Sequence, residues 1–177
     1  VGALYVNRGT AFRPSLIGGE QEDGRRAGTE NVASIIGFGK AAELANHSLG
    51  EEQTRVRAMR DRFEAALLAT VPETVVNGDC TARLPNTSSL AFRGIDSAAA
   101  LILLDQRGLC CSAGSACRTG ALEASHVLRA MGLSEARMRG SLRFSLGRFN
   151  TDLEIERAIE IVTRAVAKLR AMSPAVA

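Results

Sequence analysis

The chain has 177 residues, of which 46% are hydrophobic and 23% charged, and a formal net charge of +3. That length and apolar content predict a soluble globular protein with a real core and exclude a disordered segment. The charge is too small, and the basic residues too interleaved with acids, to expect a nucleic-acid partner. Apolar runs such as residues 98–104 fall far short of the roughly 20 residues that span a bilayer. With no charged-then-apolar leader, no membrane partner is expected and the location is expected to be cytoplasmic.

Residues 2–6 read as a short apolar strand. Val1 stands ahead of it without an initiator methionine, so the chain is expected to come from something longer. Residues 7–31 carry five glycines among many charges, a stretch too long for an ordinary connection and therefore a candidate functional loop. Residues 32–44 turn helical, and His47 falls in a polar connection. Val56, Met59, Phe63, Ala66 and Leu67 recur at helical spacing, which predicts an amphipathic helix over residues 51–70.

Short strands are predicted at residues 74–77 and 88–92. Asp96 is placed to cap a helix over residues 98–106 that Gly108 ends, and residues 109–112 read as another strand, followed by a loop of small residues over 113–120. Ser125 caps a short helix through Met131. Leu142, Phe144 and Leu146 alternate with Arg143 and Ser145, the pattern of a half-buried strand. Thr151 with Glu154 three residues on forms a capping box for the last helix, whose apolar face is Ile155, Ile159, Val162, Val166 and Leu169. Strands separated by helices predict an α/β layered domain over residues 47–177, preceded by the end of a separate domain over residues 1–46.

Four cysteines are present, at Cys80, Cys110, Cys111 and Cys117, and a cytosolic chain of this size does not need disulfides. Cys117 lies in Ser112-Ala113-Gly114-Ser115-Ala116-Cys117-Arg118-Thr119-Gly120, where glycines permit movement and Arg118 favours thiolate over thiol. Residue chemistry leaves a reactive thiol and an incidental loop thiol equally open. Cys110 and Cys111 read as small hydrophobes on a buried strand. Their spacing to Cys117 and His126 matches no zinc pattern.

Arg25, Arg26, Gly28, Thr29 and Asn31 precede a helix, a setting suited to a phosphate, against which stands simple capping by Thr29 or Asn31. Arg143 could bind a carboxylate through its planar fork or be a solvated surface residue. His126 and His47 receive no catalytic role.

In this order Gly2-Ala3-Leu4-Tyr5-Val6, the loop from Gly24 to Asn31, Asn86-Thr87, Ser115-Ala116-Cys117, Ser125-His126-Val127-Leu128-Arg129 and Leu142-Arg143-Phe144-Ser145-Leu146-Gly147-Arg148-Phe149 resemble the cysteine desulfurases of the NifS/IscS type. These are class V aminotransferase-like, fold-type I pyridoxal-phosphate enzymes. The resemblance implies that residues 1–46 end the large domain that binds pyridoxal 5'-phosphate and that residues 47–177 are the small C-terminal α/β domain.

It further implies that Cys117 takes sulfur from L-cysteine as a persulfide, Arg143 holds the substrate carboxylate, and Thr29 reaches the cofactor phosphate of the neighbouring subunit of a homodimer. An iron-sulfur scaffold or other sulfur acceptor would be the partner, with Cys117 as a transient iron-sulfur ligand, and nitrogenase is one destination that the resemblance implies for the sulfur. The lysine that carries the cofactor is expected upstream of Val1, so this chain alone would not be competent. The sequence departs from the family at Glu20, Cys111, Ala113 and Ala124. Alternative readings are a selenocysteine lyase, another class V relative, or a non-catalytic thiol or iron-sulfur module built on Cys110, Cys111 and Cys117.

Overall fold

The computed structural model describes residues 1–113 and 125–172, and the chain divides into two compact units, Val1–Leu49 and Gly50–Ala177. In the first unit an irregular stretch leads through one short turn, α1 (Gln21–Gly24), to the long helix α2 (Val32–Glu51), whose last residues belong to the second unit. No residue of this unit is buried. Residues 2–6 form no strand, because an extended segment becomes one only when a partner takes up its backbone groups, and none in this unit does. His47 lies inside α2 and not in a connection.

The second unit begins with a π-helical segment, Glu52–Val56, followed by α3 (Arg57–Thr70). The predicted helix over 51–70 is thus two elements, since the 3.6-residue apolar period cannot report a locally wider turn. Then come β1 (Thr74–Val76), β2 (Thr87–Phe92), α4 (Ser97–Asp105), α5 (His126–Ala130), α6 (Glu135–Arg139), β3 (Ser141–Ser145) and α7 (Asp152–Met172). The strands form an antiparallel sheet of order β1-β2-β3 in which Ser89 faces Arg143 and Leu90 faces Leu142.

Local signals hold where the sequence put them. Asp96 accepts from the amides of Ala98 and Ala99 at the start of α4, and Ser125 from that of Leu128 at the start of α5. At α7 the box closes both ways, Glu154 accepting from the Thr151 amide at 2.8 Å and Thr151 from the Glu154 amide at 3.3 Å. The turn-length helix α6 carries no apolar period long enough to read from sequence.

The core forms between the sheet and α3, α4 and α7. Val56, Met59, Phe63 and Leu67 meet Leu90, Phe92, Leu142 and Phe144 of the sheet and Ile155, Val162 and Val166 of α7. The rings of Phe63 and Phe144 pack edge to face with centroids 4.9 Å apart. Beside this apolar body sits a buried ion pair. Glu64 accepts from both ends of the Arg83 guanidinium, at 2.6 and 2.8 Å, and from the Ser88 hydroxyl at 2.6 Å. Arg60, 1% exposed, adds its charge and donates to the carbonyls of Leu84 and Thr87. The pair ties α3 to β2 and to the loop before it.

Burial alone would raise the Glu64 pKa, but the hydrogen bonds from Arg83 and Ser88 and the charges of Arg83 and Arg60 outweigh it and hold the carboxyl below its ordinary value. A folded-state pKa below the unfolded one means that Glu64 stabilises the fold above the ordinary carboxylate range and that this contribution is lost as pH falls through the folded value. Glu64→Gln removes the carboxylate that Arg83 grips, while Arg60 keeps Asp61 at 2.7 Å, and is expected to cost about 3 kcal/mol at neutral pH. In urea titrations of the full-length protein the gap between variant and wild type should narrow as pH falls below about 4.

Candidate active site

β3 carries the side chain on which the site is built. Ser141, Leu142, Phe144 and Leu146 are buried, and the period of two turns Arg143 to the opposite face of the sheet from Leu142 and Phe144. Arg143 is half-buried, and its Nε, like those of Arg60 and Arg83, is shielded from solvent without a hydrogen-bond partner among the described residues. A buried donor left without a protein acceptor costs on the order of 1–3 kcal/mol, a cost that a bound carboxylate would remove. The side chain is therefore half inside the fold, which argues against a simple solvated arginine.

Both backbone groups of Arg143 point away from β2. Its amide donates to the Ser112 carbonyl at 2.6 Å and its carbonyl accepts from the Ser112 amide at 3.0 Å. This isolated bridge is all that forms of the strand predicted over residues 109–112. A cavity of about 570 Å3 opens near the end of β3, lined by Phe63, Leu109, Cys110, Phe144, Leu146 and Arg157, and Arg143 does not line it.

Cys110 is exposed, contrary to the buried strand expected for it, because with only Ser112 paired to β3 nothing carries residue 110 into the sheet. Cys111 is half-buried and packs against the core. Its burial, with the neighbouring Cys110 adding to it, pushes its thiol up to about 11. It stays protonated at neutral pH and serves as a small packing group.

Thr29 belongs to the first unit. Asn31 caps α2 by accepting from the Ser34 amide at 3.2 Å, which leaves the Thr29 hydroxyl free of that task and without a hydrogen bond among the described residues. The loop is set by the Gly28 amide donating to Gln21 Oε1 at 3.1 Å and by Arg26, which donates to the carbonyls of Gly28 and Thr29. Gly28 has φ +96°, where a Cβ would be strained. Glu20, the departure closest to this loop, sits at φ −88°, which any residue adopts without strain.

Cys117 lies outside the described residues, as do Ser115, Ala116 and Ala124. His126 opens α5. Among the described residues no three His, Cys, Asp or Glu side chains gather as a metal site, and no helix is long and apolar enough to cross a membrane. Sequence reading passed over Arg55, whose guanidinium donates to the carbonyls of Arg148 at 2.5 Å and Asn150 at 2.9 Å. A contact across more than 90 residues leaves no local signal.

Residues 1–158 match the model of the class V aminotransferases, and the chain belongs to that family. Within it, the chain is similar to proteins named cysteine desulfurase. It is 53% identical over 174 residues to one from a Nostoc species, covering 98% of this chain and 44% of that protein. It is also 53% identical over 174 residues to the cysteine desulfurase NifS of Azotobacter vinelandii, covering 98% of this chain and 43% of that one.

Among solved structures, a NifS-like protein superposes with a TM-score of 0.80 at 29% identity, over 93% of this chain and 42% of its own. A NifS-like protein from Rickettsia africae does so with a TM-score of 0.73 at 33% identity, over 90% and 40%. The mixed α/β fold with its small antiparallel sheet is that of these enzymes. The chain spans less than half the length of the relatives it matches.

The two neighbouring thiols should separate on alkylation of the full-length protein. At pH 8 iodoacetamide should modify exposed Cys110 quickly, while Cys111, whose raised pKa leaves about one thiolate in a thousand, should react only after denaturation or near pH 11. Peptide mapping reads both sites. Equal rates at pH 8 would mean that Cys111 is not packed as described.

Proposed function

We propose that this chain is the C-terminal part of a cysteine desulfurase that takes sulfur from L-cysteine, leaving L-alanine and a persulfide on Cys117. The observation that carries the reading is Arg143: a half-buried guanidinium that, unlike Arg60 and Arg83, has no carboxylate partner among the described residues, in a chain 53% identical to proteins named cysteine desulfurase. On this reading residues 1–46 end the large cofactor domain and residues 47–177 form the small domain.

The class V family implies pyridoxal 5'-phosphate, and the residues present fit one part of it. The Thr29 hydroxyl, ahead of the N-terminus of α2, suits the phosphate. Neither lysine suits the ring: Lys40 pairs with Glu43 at 2.7 Å on an exposed face of α2, and Lys168 lies on α7. The cofactor-carrying lysine belongs to the preceding part of the full-length enzyme. When bound, the cofactor accepts the electrons that make the C–S bond of L-cysteine breakable.

The residues of this chain then supply positions and the nucleophile. Arg143 fixes the substrate carboxylate through two parallel N–H donors, which holds the sulfur in place for attack. The Cys117 thiolate forms the S–S bond as the C–S bond breaks, the carbon takes a proton, and alanine leaves. The persulfide is reversible, so it can pass its outer sulfur to an acceptor thiol. We further propose that the enzyme works as a cytoplasmic homodimer, that its acceptor is an iron-sulfur scaffold protein, and that Cys117 is a transient ligand to a nascent cluster. The NifS likeness favours supply to nitrogenase.

Two variants of the full-length enzyme test this. Arg143→Ala should bind the cofactor normally but lose about 2–5 kcal/mol of carboxylate binding, read as a raised KM for L-cysteine, with lysine restoring only part. Cys117→Ser should bind cofactor and L-cysteine yet transfer almost no sulfur, and mass spectrometry of the wild type after L-cysteine should find the added sulfur on the Cys117 peptide. A persulfide on Cys110 instead, or alanine formed by Cys117→Ser at the wild-type rate, would overturn the assignment of the nucleophile.

A further inference from the structure

β3 is an outer strand of the sheet, and on the edge away from β2 the peptide of Arg143 is held, among the described residues, by a single bridge to Ser112. Pairing with β2 sets the register of β3, and how its two ends are fixed sets how firmly the strand holds the Arg143 side chain. At the first end the Phe92 amide donates to the Gly140 carbonyl at 2.9 Å, and a Cβ on Gly140 would stand 2.1 Å from the Phe92 carbonyl oxygen, so the chains touch there and only glycine fits. At the other end the Leu146 amide donates to the Asn86 carbonyl at 2.8 Å. Directly after it the chain folds into a knot. Gly147 donates to Asn150 Oδ1 at 2.8 Å, Asn150 donates back to the Gly147 carbonyl at 3.1 Å, and the Asn150 side-chain amide reaches Glu154.

Arg55 grips this knot from the π-helical segment. Its Nη2 donates to the Arg148 carbonyl and its Nη1 to the Asn150 carbonyl, while Nε is engaged by Glu51 at 2.8 Å and Nη1 also lies against Met59 Sδ at 3.6 Å. A planar fork whose edges are all engaged by the protein is a clamp rather than a ligand site. The wider π turn occurs where the clamp forms, and such turns recur at functional positions. Arg62, two helical turns along, makes a comparable contact to Asp152, but with the start of α7 and not with the end of β3.

We propose that Arg55 is a positioning residue for Arg143: by pinning the Gly147–Asn150 knot it acts with the Leu146–Asn86 bond to fix the C-terminal end of β3 and with it the direction of the Arg143 guanidinium. The inference rests on the carboxylate-binding reading of Arg143. Clamp and guanidinium share one strand, so slack at its end becomes a misdirected fork, and a shift of about 1 Å in a positioning group can cost about a hundredfold in rate.

In the full-length enzyme Arg55→Ala is expected to raise KM for L-cysteine about tenfold with a smaller change in kcat, and Arg55→Lys, which can reach one carbonyl, to recover part of it. Amide exchange at Arg143 and Leu146 should quicken in Arg55→Ala. Arg62→Ala is the control, expected to lower the melting temperature with KM and those amides unchanged. If Arg55→Ala lowers stability but leaves KM and the exchange at Arg143 at wild-type values, or behaves as Arg62→Ala does, Arg55 is an ordinary surface contact and the proposal fails. If exchange quickens in Arg55→Ala while Arg143→Ala itself leaves KM unchanged, the clamp stands as a fixture of β3 and it is the carboxylate reading of Arg143 that is wrong.

Discussion

The alternation of β3 governs the second unit. Leu142, Phe144 and Leu146 must lie on one side of the strand, and each fully buried side chain of this kind is worth about 1.5–3 kcal/mol. A slip of one residue would exchange those three for Arg143 and Ser145, so the register against β2 is strongly fixed. The same constraint turns Arg143 away from the core. Packing and site geometry thus have one cause, and a substitution that loosened the core under Phe144 would also move the guanidinium.

Charge is used in two ways in this unit. The Glu64–Arg83 pair, with Arg60 and Ser88, lies within the fold and is matched charge for charge, so it serves architecture even though the Nε atoms of Arg60 and Arg83 lack a hydrogen-bond partner among the described residues. Arg143 is held in place by its backbone while an inner nitrogen lacks a partner. Both are arginines on or near the same small sheet. What differs is the counter-charge: Arg83 has Glu64 and Arg60 has Asp61, whereas no carboxylate pairs with Arg143 among the described residues.

The first unit has a different character. Its long helix α2 leaves Val32, Ile35, Ile36 and Phe38 exposed, and no side chain of the unit is buried. Such a helix gains little stability from its own packing here, since helical stability in proteins comes mostly from burying an apolar face. The loop before it is nevertheless held by local bonds from Gln21 and Arg26, which set the backbone around Thr29.

Short-range features were legible in the sequence because their partners lie within a few residues. Asp96, Ser125 and the Thr151–Glu154 box cap the helices they were expected to cap, and the alternation of residues 142–146 marked β3 and the face of Arg143. The order of motifs along the chain was enough to mark the family. Tertiary structure decided what depends on distant partners. Residues 2–6 had strand composition but no partner, and residues 109–112 paired only at Ser112, which left Cys110 outside and Cys111 against the core. The π turn, the Arg55 clamp and the missing partner of Arg143 Nε were equally invisible, because a hydrogen bond between residues more than 90 positions apart, or the lack of one, is a property of how the elements dock and not of any local pattern.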